Sequence, residues 1–243
     1  MNIFHSVSFR KAVFLKIFVG VLSFVILGYG LLQLSKSRTF QFFGVITNRV
    51  NTQEKVVALT FDDAPTENTS AIMKTLEEKN IKATFYLVGS AMEKYPEIAR
   101  KIVQSGNEIG NHSYSHERLI LKSPKFIESE ITRTNQLIRS AGFAGEITFR
   151  PPNGKKLLLL PWYLAQNKIK TIMWDVEPDT YYRGNSNLII KNTLASVQPG
   201  SIILMHPFCN LQCAADREAL PEIIDELIAK GYKFITISEL LSL

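Results

Sequence analysis

Leu59-Thr60-Phe61-Asp62-Asp63-Ala64-Pro65 is the stretch whose reading decides this chain. The apolar run Val56-Val57-Ala58-Leu59 feeds into it, so it reads as a buried strand followed by a sharp turn. Side chains alternate faces along a regular strand, which would aim two neighbouring carboxylates apart. A turn at the end of the strand lets both enter one pocket, one to bind a metal and the other to act as a base. Carboxylates that close repel each other unless a cation lies between them. An Asp-Asp pair by itself is equally well a helix cap with a solvated neighbour. The weight therefore falls on what the rest of the chain brings to the same place.

The 243 residues are enough for one large domain or two small ones. A hydrophobic share of 46% with 21% charged residues describes a globular domain with an apolar segment added. The formal net charge of +6 is concentrated near the N-terminus. Residues 1–43 carry Arg10, Lys11, Lys16, Lys36 and Arg38 and no acid, which leaves 23 basic against 22 acidic residues elsewhere. That balance gives no reason to expect a nucleic-acid partner. Residues 17–34 hold no charge and reach the length of a spanning helix. A cleaved signal peptide would have a shorter apolar core and a small-residue cleavage site, which the residues before Ser35 do not offer. The expected organisation is a short cytoplasmic tail at 1–16, a single-pass membrane anchor at 17–34, a connector at 35–54 and a folded domain at 55–243. Three basic residues before the span against two after it place that domain on the outer side of the membrane. Cys209 and Cys213 permit a disulfide across a short loop, a pair of free thiols or an accessory metal site.

From residue 55 onward the pattern alternates. Strand-like runs at 56–61, 83–88, 108–110, 147–149, 171–174, 201–205 and 233–235 are separated by helix-like runs at 70–78, 96–105, 124–141, 161–167, 188–196 and 220–230. Pro96, Pro124, Pro161 and Pro221 suit first helical turns, and Gly106, Gly142 and Gly231 suit helix ends. In 124–141 the apolar positions follow helical spacing, with Glu128, Glu130 and Arg133 on the other face. Seven such units imply a parallel sheet and predict an α/β fold, a distorted (β/α)7 barrel. In such barrels the chemistry gathers where strands end. The polar residues that follow the runs are Asp62 and Asp63; Asn111, His112 and His116; Arg150 and Asn153; Asp175, Glu177 and Asp179; and His206. Of four histidines, only His5 lies elsewhere.

His112 and His116 stand four apart, which on a helical turn puts both imidazoles on one face, as metal ligands require. Joined by a carboxylate from another strand end, they make a site with two histidines and one carboxylate and with positions left for water and substrate. Here a resemblance enters, carried by five motifs in order: Thr60-Phe61-Asp62-Asp63, His112-Ser113-x-x-His116, Arg150-Pro151-Pro152-Asn153-Gly154, Trp174-Asp175-Val176-Glu177-Pro178-Asp179 and Leu204-Met205-His206. The chain resembles the polysaccharide deacetylases, carbohydrate esterase family 4, over 55–243. The resemblance implies metal-dependent removal of acetyl groups from a glycan. It implies Asp63, His112 and His116 as ligands of Zn2+, or of another divalent transition metal such as Co2+ or Ni2+. It implies Asp62 as general base, His206 as general acid, Arg150 as the group holding the base, a backbone N–H at Asn153 for the oxyanion, and Leu204 as a wall of the acetyl pocket. Three departures from the family pattern stand out. Ala64 replaces a usual Gly, and Asn153 a usual Tyr. The fourth motif lacks the usual spacing of its acids, so Asp179 is chosen to orient His206 with Asp175 in reserve, and Tyr181 or Tyr182 replaces a sugar-stacking Trp.

Other positions read more plainly. Lys155 and Lys156 look like a solvated pair in a turn. Trp174 looks like core. Trp162, Tyr163 and 157–160 fit a glycan platform and a barrel cover equally. The leading expectation is a membrane-anchored deacetylase of an envelope polysaccharide such as peptidoglycan, with N-acetyl groups favoured and the acetylated glycan as partner. The alternatives are a catalytically inactive glycan-binding barrel, and an O-deacetylase or small-molecule amidase built on the same site. The sequence leaves the oligomeric state open.

Overall fold

The computed structural model describes the backbone of residues 3–243 and the side chains from Phe14 onward. The first residues of the expected tail, Met1 and Asn2, lie outside the described residues, as do the side chains of Arg10 and Lys11 on which the expected orientation rests. The chain begins with α1 (Ile3–Lys36), one continuous helix. Among the described residues its stretch Phe14–Lys36, which contains the expected span 17–34, is long and apolar enough to cross a membrane. Phe18, Val25, Ile26 and Leu27 are all more than half exposed, an apolar surface without a partner among the described residues.

Then follow β1 (Ile46–Thr47), β2 (Val56–Ala64), α2 (Thr69–Glu78), β3 (Thr84–Leu87), α3 (Gly89–Lys94), α4 (Pro96–Gln104) and β4 (Glu108–Asn111). The second half holds α5 (Pro124–Ser140), α6 (Leu159–Gln166), β5 (Thr171–Ile172), α7 (Ser186–Ser196), β6 (Ser201–Met205), α8 (Ala214–Ala229), β7 (Lys233–Phe234) and α9 (Ile237–Leu240). Every ladder is parallel. The order is β4-β3-β2-β6, with β7 against the start of β2 and β1 against β5. Single-residue bridges carry the sheet onward, from Asn111 through Phe149 to Thr171, and from Val176 to Ile203. The result is the expected α/β fold with a parallel sheet, bent toward a barrel that its ladders leave unclosed. The run 147–149 therefore contributes a bridge rather than a strand, because only Phe149 pairs before the chain turns away at Arg150.

β2 is the middle of the sheet, and it is buried without a break from Val56 to Asp62, as a parallel strand covered on both faces requires. One core cluster joins Leu59, Phe61, Phe85, Ile109 and Ile203 to the inner faces of α2, α4 and α8. A second joins Ala58, Tyr86, Met173, Trp174 and Leu204. Burying side chains of this size stabilises by ~1.5–3 kcal/mol each.

Two further local expectations change. The strand expected at 56–61 runs on to Ala64. α8 starts at Ala214 rather than 220, so Pro221 lies inside it. The helix grows directly out of the turn Leu211–Cys213, and Pro221 only removes the N–H that would have bonded the Arg217 carbonyl. The connector is structured: β1 pairs β5, and the Val50 amide donates to the Gly200 carbonyl at 3.0 Å. Gly200 has φ +79°, and a Cβ there would fall 1.9 Å from the Val50 oxygen. Gly110 is equally constrained, since a Cβ would sit 2.3 Å from the Tyr86 ring, against which β4 packs. We predict that Gly110→Ala lowers unfolding free energy by about 1–3 kcal/mol, measured by denaturant unfolding. Unchanged stability would mean that Tyr86 is free to move.

Candidate active site

The site starts with an irregularity in β2. Register with β3 is regular through Asp62↔Tyr86 and then shifts, so that Ala64 faces Leu87. Asp63 is the extra residue, at φ 69°. This bulge, not a turn after Phe61, is what brings two adjacent carboxylates to one place. Asp62 Oδ2 lies 3.5 Å from His112 Nε2, and Asp63 Oδ1 lies 3.7 Å from the same atom. The left-handed residue is Asp63, so Ala64 needs no glycine.

His112 follows β4 and is buried. Its Nδ1 lies 2.8 Å from the Arg150 carbonyl. A carbonyl only accepts, so Nδ1 carries the proton and the Nε2 lone pair faces the two aspartates. Burial pushes the His112 imidazole below its usual range, which keeps it neutral, as a metal ligand must be. His116 Nε2 lies 3.1 Å from Asp63 Oδ1. The two histidines are not on a helical turn as expected. They sit in a loop with Ser113 at φ 64° and His116 at φ 59°. Asn111 Oδ1 accepts from the Ser113 amide at 2.7 Å, and Ser113 Oγ from the His116 amide at 3.1 Å. Glu130 of α5, expected on the outer face, is buried beneath this loop. It accepts from the Tyr114 and Ser115 amides at 3.1 and 2.8 Å and from Ser115 Oγ at 2.9 Å.

One ligand atom each from Asp63, His112 and His116 lies within 4.8 Å of the other two. The Asp63 side chain is partly exposed, yet its Oδ1 is itself buried and has no hydrogen-bond partner. An orphaned carboxylate oxygen beside two imidazole nitrogens is a donor set that fits a divalent transition metal.

Asp62 is treated differently from its neighbour. Arg150, fully buried, donates to its Oδ1 at 2.7 Å and to Thr60 Oγ1 at 2.8 Å. The remaining guanidinium N–H groups reach the Ile172 and Met173 carbonyls at 3.3 and 3.2 Å, and the plane lies 4.0 Å from the Tyr86 ring. Burial alone would raise the Asp62 pKa. The charge and hydrogen bond of Arg150, with the charge of His206, overcome it and hold the carboxyl below its usual range.

Across the cleft, His206 follows β6. Its Nδ1 lies 3.0 Å from Asp179 Oδ2, and its amide donates to the same oxygen. Burial would lower the imidazole, but the Asp179 hydrogen bond and charge raise it to about 9. Asp175 is elsewhere: it accepts from Ser201 Oγ and the Ile202 amide, both at 2.8 Å. Asn153, at φ 56°, and Tyr181, largely exposed, line the cleft that holds Asp62, Asp63 and both imidazoles. Leu204 is wholly buried in one cluster with Met173 and Trp174, and those two line the cleft in its place. Cys209 and Cys213 are joined by a disulfide in the loop after His206, and both line the cleft. Asp216 of α8 carried no signal in the sequence. It is buried, and burial together with the charge of Asp179 raises its carboxyl to about 6.

A family model described as polysaccharide deacetylase matches residues 49–172. The chain belongs to the polysaccharide deacetylase family. A peptidoglycan-N-acetylglucosamine deacetylase of Bacillus cereus is 39% identical over 74% of this chain and 66% of its own length. The peptidoglycan-N-acetylmuramic acid deacetylase PdaC of Bacillus subtilis is 33% identical over 79% of this chain and 40% of its own length. The chain thus spans about two thirds of the first of these relatives and less than half of the second. Among solved structures, the peptidoglycan N-acetylglucosamine deacetylase Bc1960 superposes with a TM-score of 0.74 at 32% identity, covering 79% of this chain and 91% of that one. BA3943 of Bacillus anthracis, described as a CE4 family pseudoenzyme, gives 0.72 at 31% identity over 80% and 68%. Family membership and the parallel α/β fold agree with the motif reading.

The pairing of His206 with Asp179 has a pH signature. A raised imidazole pKa contributes stability that is complete below pH 6.5 and lost as pH rises through about 9. Asp179→Asn is expected to bring the His206 titration, followed by NMR, back toward 6.5. An unmoved titration would remove Asp179 as its cause.

Proposed function

We propose that the chain is a membrane-anchored, divalent-metal-dependent hydrolase that removes acetyl groups from an envelope glycan, with N-acetylglucosamine in peptidoglycan as the leading substrate. One observation carries this reading. A carboxylate kept ionised by Arg150 and an imidazole kept protonated by Asp179 face one cleft, beside three metal-type donors. Binding alone needs neither a base nor an acid.

Asp63, His112 and His116 would hold zinc, cobalt or nickel. Such an ion, when bound, polarises a carbonyl and brings the pKa of water to ~7. Asp62 acts as general base, taking a proton from the attacking water. Arg150 keeps that carboxylate charged and aimed. His206 acts as general acid: it gives its proton to the amine nitrogen as the C–N bond breaks and acetate is released. Its raised pKa keeps that proton in place at neutral pH. The Asn153 backbone N–H serves the oxyanion, a contribution of ~3 kcal/mol for one well-placed donor. Tyr181 at the rim offers a sugar a stacking face. Leu204 backs the acetyl pocket through Met173 and Trp174. Residues 17–34 of α1 anchor the chain, supported by their exposed apolar surface, with the domain from 55 onward on the outer side.

The pseudoenzyme among the structural neighbours keeps an inactive glycan-binding barrel as the second reading. The presence here of Asp62, Asp63, His112, His116, Arg150 and His206 around one cleft favours activity. The deciding assay is acetate release from acetylated glycans by the full chain in detergent, before chelation, after chelation, and after zinc is returned. Release from N-acetylglucosamine polymers that disappears and returns supports the proposal. Release indifferent to chelation would refute it.

Two variants separate the roles. His112→Ala loses both bound metal and activity. Asp62→Asn keeps the metal and loses activity by about 10²–10⁴-fold. Metal loss in Asp62→Asn, measured by elemental analysis, would refute the division of labour.

A further inference from the structure

The residues that leave α1 do not hang free of the domain. Ser35 is buried, and its carbonyl accepts from the Lys156 amide at 3.1 Å. The Lys156 amine donates to the Ser37 carbonyl. Lys156, expected to be solvated, is thus a buried clamp on this segment. Arg38 lies 4.7 Å over the Trp174 ring and ion-pairs with Glu177. Lys36 and Arg38 both line the cleft that holds Asp62, Asp63 and the imidazoles.

Glu177 is the junction. Besides Arg38, it accepts from Trp174 Nε1 at 2.8 Å and from Thr180 Oγ1 at 2.8 Å. The Thr180 amide donates to Asp179 Oδ1 at 2.8 Å, and Asp179 Oδ2 holds His206. Contacts therefore run without a break from the exit of α1 to the carboxylate that holds His206. The side chain of Glu177 is only 9% exposed, and Arg38 is the countercharge bonded to it. A nearly buried carboxylate deprived of its cation moves toward water, and here it would take Thr180 with it.

We infer that Ser35–Arg38 is a wall of the cleft, and that Arg38 is a positioning residue: by holding Glu177 it holds the 174–180 loop in the shape that presents Asp179 to His206. The inference rests on the hydrolase reading for its catalytic consequence, and on the contacts alone for its structural one.

Full-length chain in detergent micelles, as Arg38→Ala, Arg38→Lys, Glu177→Gln and the double variant Arg38→Ala/Glu177→Gln, tests both. In Arg38→Ala, kcat for acetate release should fall about tenfold to a hundredfold, with KM changed by less than about twofold and bound metal unchanged. Arg38→Lys should recover most of kcat, and the double variant should be no worse than Arg38→Ala, because both single changes cut one link. Amide exchange reads the same link without catalysis. The Thr180 and His206 amides, which donate to Asp179, should exchange about tenfold faster in Arg38→Ala. Unchanged exchange with unchanged kcat overturns the inference, as do losses in the two single variants that multiply in the double. Faster exchange in a chain that releases no acetate would uphold the positioning role while refuting the hydrolase.

Discussion

The structure turns on the buried ion pair between Arg150 and Asp62, at the floor of the cleft. Taking two charges out of water is costly, and such a pair persists only where further hydrogen bonds satisfy the rest of both groups. Arg150 meets that condition: its N–H groups reach Asp62, Thr60 and two β5-side carbonyls, and its plane lies against Tyr86. The same residue's carbonyl fixes the proton of His112 on Nδ1. One residue therefore sets the charge of the carboxylate assigned as base and the tautomer of an imidazole assigned to the metal.

That pair also explains how two identical neighbours come to differ. Asp62 is spoken for by a guanidinium, while Asp63, one residue on and turned by the bulge, has an oxygen with no partner. Loop geometry serves the same end. Left-handed backbone at Asp63, Ser113, His116 and Asn153 is unfavourable for residues with a Cβ, and all four positions border this cleft or its histidine loop. Buried acceptors such as Glu130 and Asn111 hold the histidine loop in that shape.

The alternation of apolar runs and helical stripes made the parallel α/β fold legible, because strands covered on both faces and amphipathic helices leave different periods in a sequence. The rim was legible because chemistry-bearing residues followed those runs. What the sequence hid was whatever depends on a single backbone angle or a long-range contact. The bulge at Asp63 looks like any Asp-Asp pair. Glu130 stands three residues after Ile127 and four before Thr134, on the buried side of α5, and its charge disguised that position because the loop it supports is distant in sequence. The choice of Asp179 over Asp175, by contrast, rests on the fourth motif, and Asp179 is the acid that meets His206. Lys156 read as a solvated turn residue and Arg38 as a basic flank of the span, since nothing local says that the end of α1 docks on the third and fourth motifs. The segment 147–149 had the composition of a strand and pairs through Phe149 alone.

The proposed chemistry requires that Asp63, His112 and His116 share one ion while Asp62 stays with Arg150. X-ray absorption spectroscopy at the zinc edge of the zinc-loaded full chain reads this directly. It should show imidazole nitrogens and carboxylate oxygen at about 2.0–2.2 Å and no sulfur, with the imidazole signal reduced in His116→Ala and unchanged in Asp62→Asn. A spectrum without imidazole scattering, or one that changes with Asp62 and not with His116, would contradict it.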